Sequence, residues 1–235
     1  MIIKKEQIIL DSIYIDVLYK KIKNLYIVIN PLLGKVRISA PKKMSSKTVR
    51  TFAISRLEWI KKHQTKFLQQ KQEPPLKYLS NEKHYFKGKH YTLNIINHKS
   101  PSKVEIINEN QINLYLRNRS SLKKREKAIT DWHRKQLKAM IPDIIEKWQR
   151  IIGVKVRGWG VKQMKTRWGT CNIKTRRIWL NLELIKKPEY CLEYIVVHEM
   201  LHLLERKHNS KYRAYMNKYM PQWKIHEKEL NRLKL

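Results

Sequence analysis

Three residues in the last quarter of the sequence have the types and spacing of a catalytic metal site. His198, Glu199 and His202 stand in the pattern H-E-x-x-H. In a helix, residues four apart lie on one face, so two imidazoles at this spacing can bind a single cation. The glutamate between them is placed to accept a proton from a water that the cation activates. The pattern favours metal-assisted hydrolysis over its alternative, a pair of core histidines bonded to carbonyl groups.

Catalytic zinc usually has three protein ligands and an open position, so a third ligand is expected. We expect it to be His208, ten residues after His198 and six after His202. The same spacing occurs in the metzincin pattern H-E-x-x-H-x-x-G-x-x-H, but Glu205 stands where that pattern has glycine, which excludes this class. The alternatives for the third ligand lie on the last predicted helix: His226, Glu227 and Glu229.

The helix that must carry these groups is predicted over residues 189–205. Apolar residues occupy every side of it, so we expect the helix to be buried, with Pro188 in its first turn. Polar groups on a buried helix must be satisfied, and an unpaired buried charge costs several kcal/mol. The composition of the helix therefore also predicts a partner in front of its polar face.

A second segment, Arg167-Trp168-Gly169-Thr170-Cys171, lies between two predicted strands. Beside the metal, Arg167 would bind an anionic substrate or stabilise a developing oxyanion, and its alternative is a purely structural role. We expect Gly169 to adopt an unusual backbone angle, Trp168 to pack, and Cys171 to be a small buried residue.

The periodicity of the rest predicts an α+β protein in two parts. The first, residues 1–118, is β-rich with one long helix over 45–67, which follows a hairpin over 25–39. Two further hairpins are predicted over 85–96 and 104–116. We find no internal repeat.

The second part, residues 119–235, is predicted to be mainly helical with short strands. It opens with a long helix that Pro142 should kink and Gly153 should end. Strands are expected over 154–161 and 177–184, before the helix that carries the histidines.

The composition narrows the class of protein. Lys and Arg total 52 against 19 Asp and Glu, a formal charge of +33 that is shared evenly by the two halves of the 235-residue chain. Such a charge makes nucleic acid a plausible partner, and the alternative is the codon bias of an AT-rich genome. No apolar run reaches the ~18 residues of a membrane helix, and 42% hydrophobic residues exclude disorder. Two cysteines and no secretory signal predict a cytoplasmic protein.

Taken together, the H-E-x-x-H segment, His208-Asn209-Ser210 and Arg167-Trp168-Gly169-Thr170-Cys171 resemble the YgjP-like metallopeptidase family, which is related to the SprT-like and WLM zinc peptidases. The resemblance covers most of the chain and departs at Thr170, where serine is usual. It implies one zinc ion per chain held by His198, His202 and His208, with Glu199 as catalytic base and a peptide or protein as substrate. It also implies that residues 119–235 form a minimal zincin-like helical core packed on a small sheet.

Three functions compete at this point. The first is a zinc metallopeptidase whose basic surface contacts nucleic acid. The second is a metal-dependent hydrolase of a small phosphorylated substrate such as a nucleotide, because an activated water can attack phosphorus as well as carbon. The third is a nucleic-acid-binding protein with a structural metal site. A structural site has no need of Glu199, which favours the first two.

Overall fold

The structure is a computed structural model that describes residues 2–30, 34–69, 76–99, 101–117 and 120–232. Within these ranges eleven strands form three sheets and six α-helices accompany them, which confirms the predicted α+β class. The chain divides into two compact units, residues 1–75 and 76–235, each with its own hydrophobic core.

The first unit opens with a four-stranded sheet. Its first two strands form a hairpin whose turn residues, Asp11 and Ser12, both have positive φ, as a tight two-residue hairpin turn requires. The second strand then pairs in parallel with the fourth, and the fourth pairs with the third. The predicted hairpin over 25–39 is this last pair, and the tip of its loop, residues 31–33, lies outside the described residues. The strands are β1 (Ile2–Leu10), β2 (Ile13–Lys20), β3 (Tyr26–Ile29) and β4 (Val36–Pro41), in the order β1-β2-β4-β3.

Two helices cover one face of this sheet where the sequence predicted one. Helix α1 (Ser46–Ser55) begins after Ser45, whose side chain accepts a hydrogen bond from the Thr48 amide, and α2 spans Leu57–Gln69. The chain leaves helical geometry at Arg56 between them. The apolar faces of both helices pack on the sheet, so the break redirects the chain without exposing the core.

The second unit opens with a sheet of the same topology. Again one hairpin joins a second hairpin through a parallel pair of strands, and a helix follows. This duplication of topology was missed in the sequence, because the two segments share the hairpin pattern and not the residues. The strands are β5 (Lys83–Phe86), β6 (Lys89–Asn97), β7 (Lys103–Asn108) and β8 (Gln111–Leu116), in the order β5-β6-β8-β7.

Helix α3 (Leu122–Ile152) explains why the chain divides earlier than predicted. It packs on β7 and β8, and one core contains side chains of this sheet, of α3 and of the elements that follow. The division therefore falls between residues 75 and 76, and the boundary expected near residue 118, itself outside the described residues, lies within the second unit. The helix runs through Pro142 without interruption, and Gly153 ends it in the left-handed conformation with φ of 76°.

The remaining elements form the part of the second unit that carries the predicted site. A three-stranded sheet of order β10-β11-β9 precedes three helices. The strand expected over 177–184 ends at Asn181, because the chain turns there into a 3-10 helix, Leu182–Lys186. The elements are β9 (Gly158–Lys162), β10 (Gly169–Asn172), β11 (Arg177–Asn181), α4 (Glu189–Leu201), α5 (Ser210–Tyr219) and α6 (Trp223–Arg232). Across the described residues, no helix combines the length and apolar character needed to cross a membrane.

One core position of this unit is occupied by a histidine. His133 of α3 is only 4% exposed, its ring lies against those of Phe86 and Trp132, and its Nε2 has no hydrogen-bond partner among the described residues. Burial lowers the pKa of His133 to about 3, and the charges of Lys186 and of a protonated His84 act in the same direction. The native state therefore excludes a proton that the unfolded chain accepts near pH 6.5.

This exclusion predicts a specific loss of stability in acid. As the pH falls below about 6.5, only the unfolded state protonates at this position, so the free energy of unfolding should decrease by about 1.4 kcal/mol per pH unit through this group. His133→Phe removes the titration and keeps the ring. Urea denaturation between pH 7 and pH 4 should show a shallower pH dependence for His133→Phe than for wild type, whereas the exposed His98→Phe control should follow wild type. Parallel curves for wild type and His133→Phe would contradict the assignment.

Candidate metal centre

The structure brings together the three histidines that the spacing selected. His198 lies in the last turn of α4, His202 is the residue at which that helix ends, and His208 follows a short turn. The Nε2 atom of His208 lies 3.1 Å from Nε2 of His198 and 3.1 Å from Nε2 of His202. Of the described His, Cys, Asp and Glu residues, these three alone form a cluster whose ligand atoms all lie within 4.8 Å of one another.

The protonation of these rings suits metal binding. Nδ1 of His202 lies 3.2 Å from the backbone carbonyl of Glu205, which can only accept, so the ring proton is on Nδ1 and the lone pair of Nε2 faces the other two rings. Burial lowers the pKa of His198 to about 3 and that of His202 below its usual value, so both rings are neutral at pH 7. Three ring nitrogens this close together cannot all form a hydrogen bond through one shared proton. A cation between them satisfies all three.

Tyr212 of α5 packs against the histidine cluster. Its ring contacts all three histidine rings, with centroids 5.4, 5.0 and 4.7 Å from those of His198, His202 and His208. Burial raises the pKa of its phenol well above the usual range, and the protonated hydroxyl donates a hydrogen bond to the backbone carbonyl of His198. Asn209 places Tyr212, because its side chain accepts a hydrogen bond from the Tyr212 amide at the start of α5.

Glu199 lies next to the cluster and is almost wholly buried, with 5% of its surface exposed. Burial raises the pKa of its carboxyl to about 8, and the positive charge of Arg167 opposes that rise. Strand β10 covers the carboxylate so closely that a Cβ atom on Gly169 would lie 2.6 Å from Glu199 Oε1 and 2.9 Å from Cγ2 of Ile195. Glycine is therefore required at 169 for close approach to the carboxylate, whereas the sequence predicted an unusual backbone angle; its φ is not positive.

An open cleft of about 570 Å³ gives access to these groups. The three imidazoles and Glu199 line it, together with two arginines and one further carboxylate, Arg167, Arg206 and Glu227. A carboxylate beside three metal-binding nitrogens in an accessible cleft is the arrangement that metal-assisted hydrolysis requires.

Comparison with known proteins gives the family. A family model described as "YgjP-like, metallopeptidase domain" matches residues 23–233. The chain belongs to the YgjP-like family. A metallopeptidase-like function and a divalent metal follow from this membership, in agreement with the resemblance drawn from the motifs.

Solved structures and curated proteins add little to this YgjP-like assignment. The chain is similar to the metallopeptidase zymogen jannalysin of Methanocaldococcus jannaschii, with 21% identity and a TM-score of 0.35 over 38% of this chain and 92% of that chain. It is also similar to the metallopeptidase zymogen abylysin of Pyrococcus abyssi, with 22% identity and a TM-score of 0.35 over 40% of this chain and 90% of that chain. No curated protein matches.

The other residues that the sequence singled out have separate positions in this YgjP-like site. The alternatives for the third ligand, His226, Glu227 and Glu229, do not join the histidine cluster of the described chain. Trp168 packs against the core and also lines the cleft, with Lys187 Nζ 5.4 Å from the centre of its ring. Burial raises the pKa of Cys171 to about 11, so its thiol remains protonated at neutral pH.

Sequence reasoning missed Asn181, which fixes the segment that carries Arg167. Its side chain is fully buried, donates to the carbonyls of Met164 and Arg167 at 2.9 and 2.8 Å, and accepts the Met164 and Glu183 amides, both at 3.2 Å. Its backbone amide also donates to the Trp168 carbonyl. An asparagine at the end of a strand has no distinctive signal in one sequence, so only the structure reveals this role.

The close approach of β10 to Glu199 gives a direct test. Gly169→Ala should displace the Glu199 side chain, and because a shift of about 1 Å at a reacting group can cost about 100-fold in rate, hydrolysis of fluorescent casein should fall by that order. Bound metal should remain, since the substitution does not touch the imidazoles. Gly158→Ala is the matched control, because its new Cβ would come no closer than 3.4 Å to a neighbour. Equal activity in the two variants would show that Glu199 does not need its present position.

Proposed function

We propose that this chain is a zinc-dependent metallopeptidase in which His198, His202 and His208 hold the metal and Glu199 is the catalytic base. The observation that carries the proposal is the convergence of three imidazole Nε2 atoms beside a buried carboxylate in one cleft. Zinc fits this donor set, because three histidine ligands with a fourth position open is the composition of catalytic zinc sites, and imidazole suits zinc well. The cytoplasmic location stays a prediction.

The residues of the chain divide the chemistry between them. Zinc, when bound, supplies a Lewis acid that polarises the scissile carbonyl and brings the pKa of water to about 7. Glu199 accepts the proton of the attacking water at its carboxylate and transfers it to the nitrogen of the leaving amine. Arg167 contributes positive charge at the same end of the cleft, where it stabilises the carbonyl oxygen as negative charge develops on it. Strand β10 and Tyr194, which is 3% exposed, exclude bulk water around the carboxylate.

Metal content tests the ligand set. Purified wild-type protein should contain about one zinc ion per chain by elemental analysis. His202→Ala and His208→Ala should each lose most of it, because each removes one of the three imidazole donors that form the cluster. His226→Ala is the control, since His226 lies outside the cluster and should leave the content unchanged. Zinc retained in full by His208→Ala and lost from His226→Ala would move the third ligand to α6.

The role of Glu199 has its own test. Glu199→Gln keeps the shape of the side chain and removes its basicity, so zinc content should match wild type while casein hydrolysis falls by about 10²- to 10⁴-fold. Glu205→Gln, six residues further along the chain and beyond the end of α4, should retain activity, because its side chain does not line the cleft. Full activity of Glu199→Gln would refute the base assignment, and a variant that loses zinc would indicate a structural role instead.

One observation favours a second candidate function. Arg167 and Arg206 both line the cleft, and a pair of guanidinium groups also suits a phosphorylated substrate such as a nucleotide. The same base and metal would then promote attack on phosphorus. Assays with casein and with nucleoside triphosphates under identical conditions separate the two candidates. Phosphate release that depends on Glu199, without cleavage of casein, would replace the peptidase proposal by this one.

A further inference from the structure

One face of the sheet in the first unit lies opposite the two helices and exposes several large side chains, although Leu18 on the same face is only 6% exposed. Helices α1 and α2 cover one side of the sheet β1-β2-β4-β3, and the residues that point to the other side alternate with the core residues. Four large apolar side chains on this outer face are more than half exposed: Ile9 at 52%, Tyr14 at 62%, Tyr26 at 55% and Val28 at 58%. An apolar patch of this kind on an ordinary solvated sheet costs free energy and marks an interaction surface.

The strand register shows how these side chains are arranged. In one row across the sheet, Val28 lies opposite Arg37, which lies opposite Asp16. In the next row Tyr26 of β3 pairs with Ser39 of β4, Ser39 pairs with Leu18 of β2, and Leu18 pairs with Lys5 of β1. Tyr14 pairs with Ile9 on the other side of the Asp16 row. The two exposed tyrosines therefore lie diagonally across the face, with Arg37 on a strand between them.

The outer face, defined by these residues, is also basic. Lys5, Lys20 and Arg37 belong to it, against the single carboxylate of Asp16, which accepts a hydrogen bond from Gln7 at 3.2 Å. The whole unit, residues 1–75, contains 16 Lys and Arg and 5 Asp and Glu. Three cations therefore share the outer face with the exposed aromatic rings.

The second unit supplies an internal comparison. Its sheet has the same topology, and the corresponding outer positions of β6 and β8 carry Thr92, Asn94, Gln111 and Asn113, followed by Ile96 and Tyr115 in the last row. The amides bond to one another, as in Gln111 to Asn113 at 3.1 Å, and Asn113 donates a hydrogen bond at 3.3 Å to the hydroxyl of Tyr115, which is half-buried and not exposed. Topology alone therefore does not call for exposed tyrosines and arginine on the outer face of the first unit.

We propose that the outer face of the first unit binds single-stranded nucleic acid, with bases stacked on Tyr14 and Tyr26 and phosphates paired with Arg37 and the neighbouring lysines. Exposed rings with interleaved cations are the chemistry that recognises a single strand, because every base offers a π-face and every nucleotide a negative charge. A second copy of this chain would bring like charges face to face. The proposal does not depend on the metal centre, so it stands or falls separately from the peptidase function.

The experiment is fluorescence anisotropy of the full-length protein with a labelled 20-nucleotide poly-dT, with poly-U, and with a 20-base-pair duplex, at 100 and 300 mM KCl. Wild type should bind the single strands more tightly than the duplex. Tyr14→Ala and Tyr26→Ala should each weaken single-strand binding about tenfold, as loss of one stacking platform does, while Tyr14→Phe and Tyr26→Phe should bind like wild type. His202→Ala should also bind like wild type.

Two controls separate this face from the charge of the whole chain. Trp59→Ala removes an exposed ring from α2, on the helical side of the same unit, and Arg56→Gln removes one positive charge from the junction of α1 and α2. Both should leave binding within about twofold of wild type, whereas Arg37→Gln should weaken it several-fold and reduce its salt dependence.

Three outcomes would overturn the proposal. Absence of binding to either single strand at 100 mM KCl is the first. Equal losses from Arg37→Gln and Arg56→Gln, with no effect of the tyrosine substitutions, is the second, because binding would then reflect diffuse charge. The third is a change of oligomeric state in Tyr14→Ala or Tyr26→Ala, measured by light scattering, since the face would then join copies of this chain.

Discussion

Burial of a carboxylate beside three imidazoles is the constraint that organises the second unit. Glu199 cannot be solvated under β10, and desolvation raises its pKa to about 8 even with Arg167 nearby. A helix that buries such a group must recover the free energy elsewhere, and the apolar surface of α4 supplies it, at about 1.5–3 kcal/mol for each fully buried large side chain. The apolar residues on every side of α4 therefore compensate for the free-energy cost of burying the polar residues of its last turn.

The same constraint explains the contacts that hold the site in place. Glu193 of α4 accepts hydrogen bonds from the Trp148 indole at 2.8 Å and from Lys147 at 2.7 Å, which anchors α4 to α3. Tyr212 fixes the carbonyl of His198, and the carbonyl of Glu205 fixes the proton of His202. Asn181 holds the segment that leads to Gly169. Tyr212, Glu205 and Asn181 act on backbone groups or on a ring nitrogen, and Glu193 joins two helices, so the position of the imidazoles depends on packing that is far more extensive than the site.

How much of this the sequence predicts depends on whether the signal is local. The helical spacing of His198 and His202, the cap at Asn209 and the hairpins at residues 85–96 and 104–116 are local, and the structure has all of them. The partners of Asn181 and the Cβ space at Gly169 depend on strands and a helix that meet only after folding, so no spacing rule reveals them. The division of the chain at residue 75 also depends on contacts that form only after folding, because it is set by where α3 packs and not by a change in composition.

The positive charge of the chain can be assigned to particular parts of the fold. Of the groups that line the cleft, Arg167 and Arg206 are matched by Glu199 and Glu227, so a formal charge of +33 does not arise from the needs of the candidate active site. Two sheets of one topology within the chain then provide the contrast: one has an outer face of amides that satisfy each other, and the other exposes tyrosines among cations. Since exposed aromatic and apolar area is unfavourable in water, a face that retains it gains that free energy back only when it is covered. A single strand of nucleic acid, which we propose as the partner of this face, would cover both the rings and the charges, and none of the three clustered histidines belongs to this sheet.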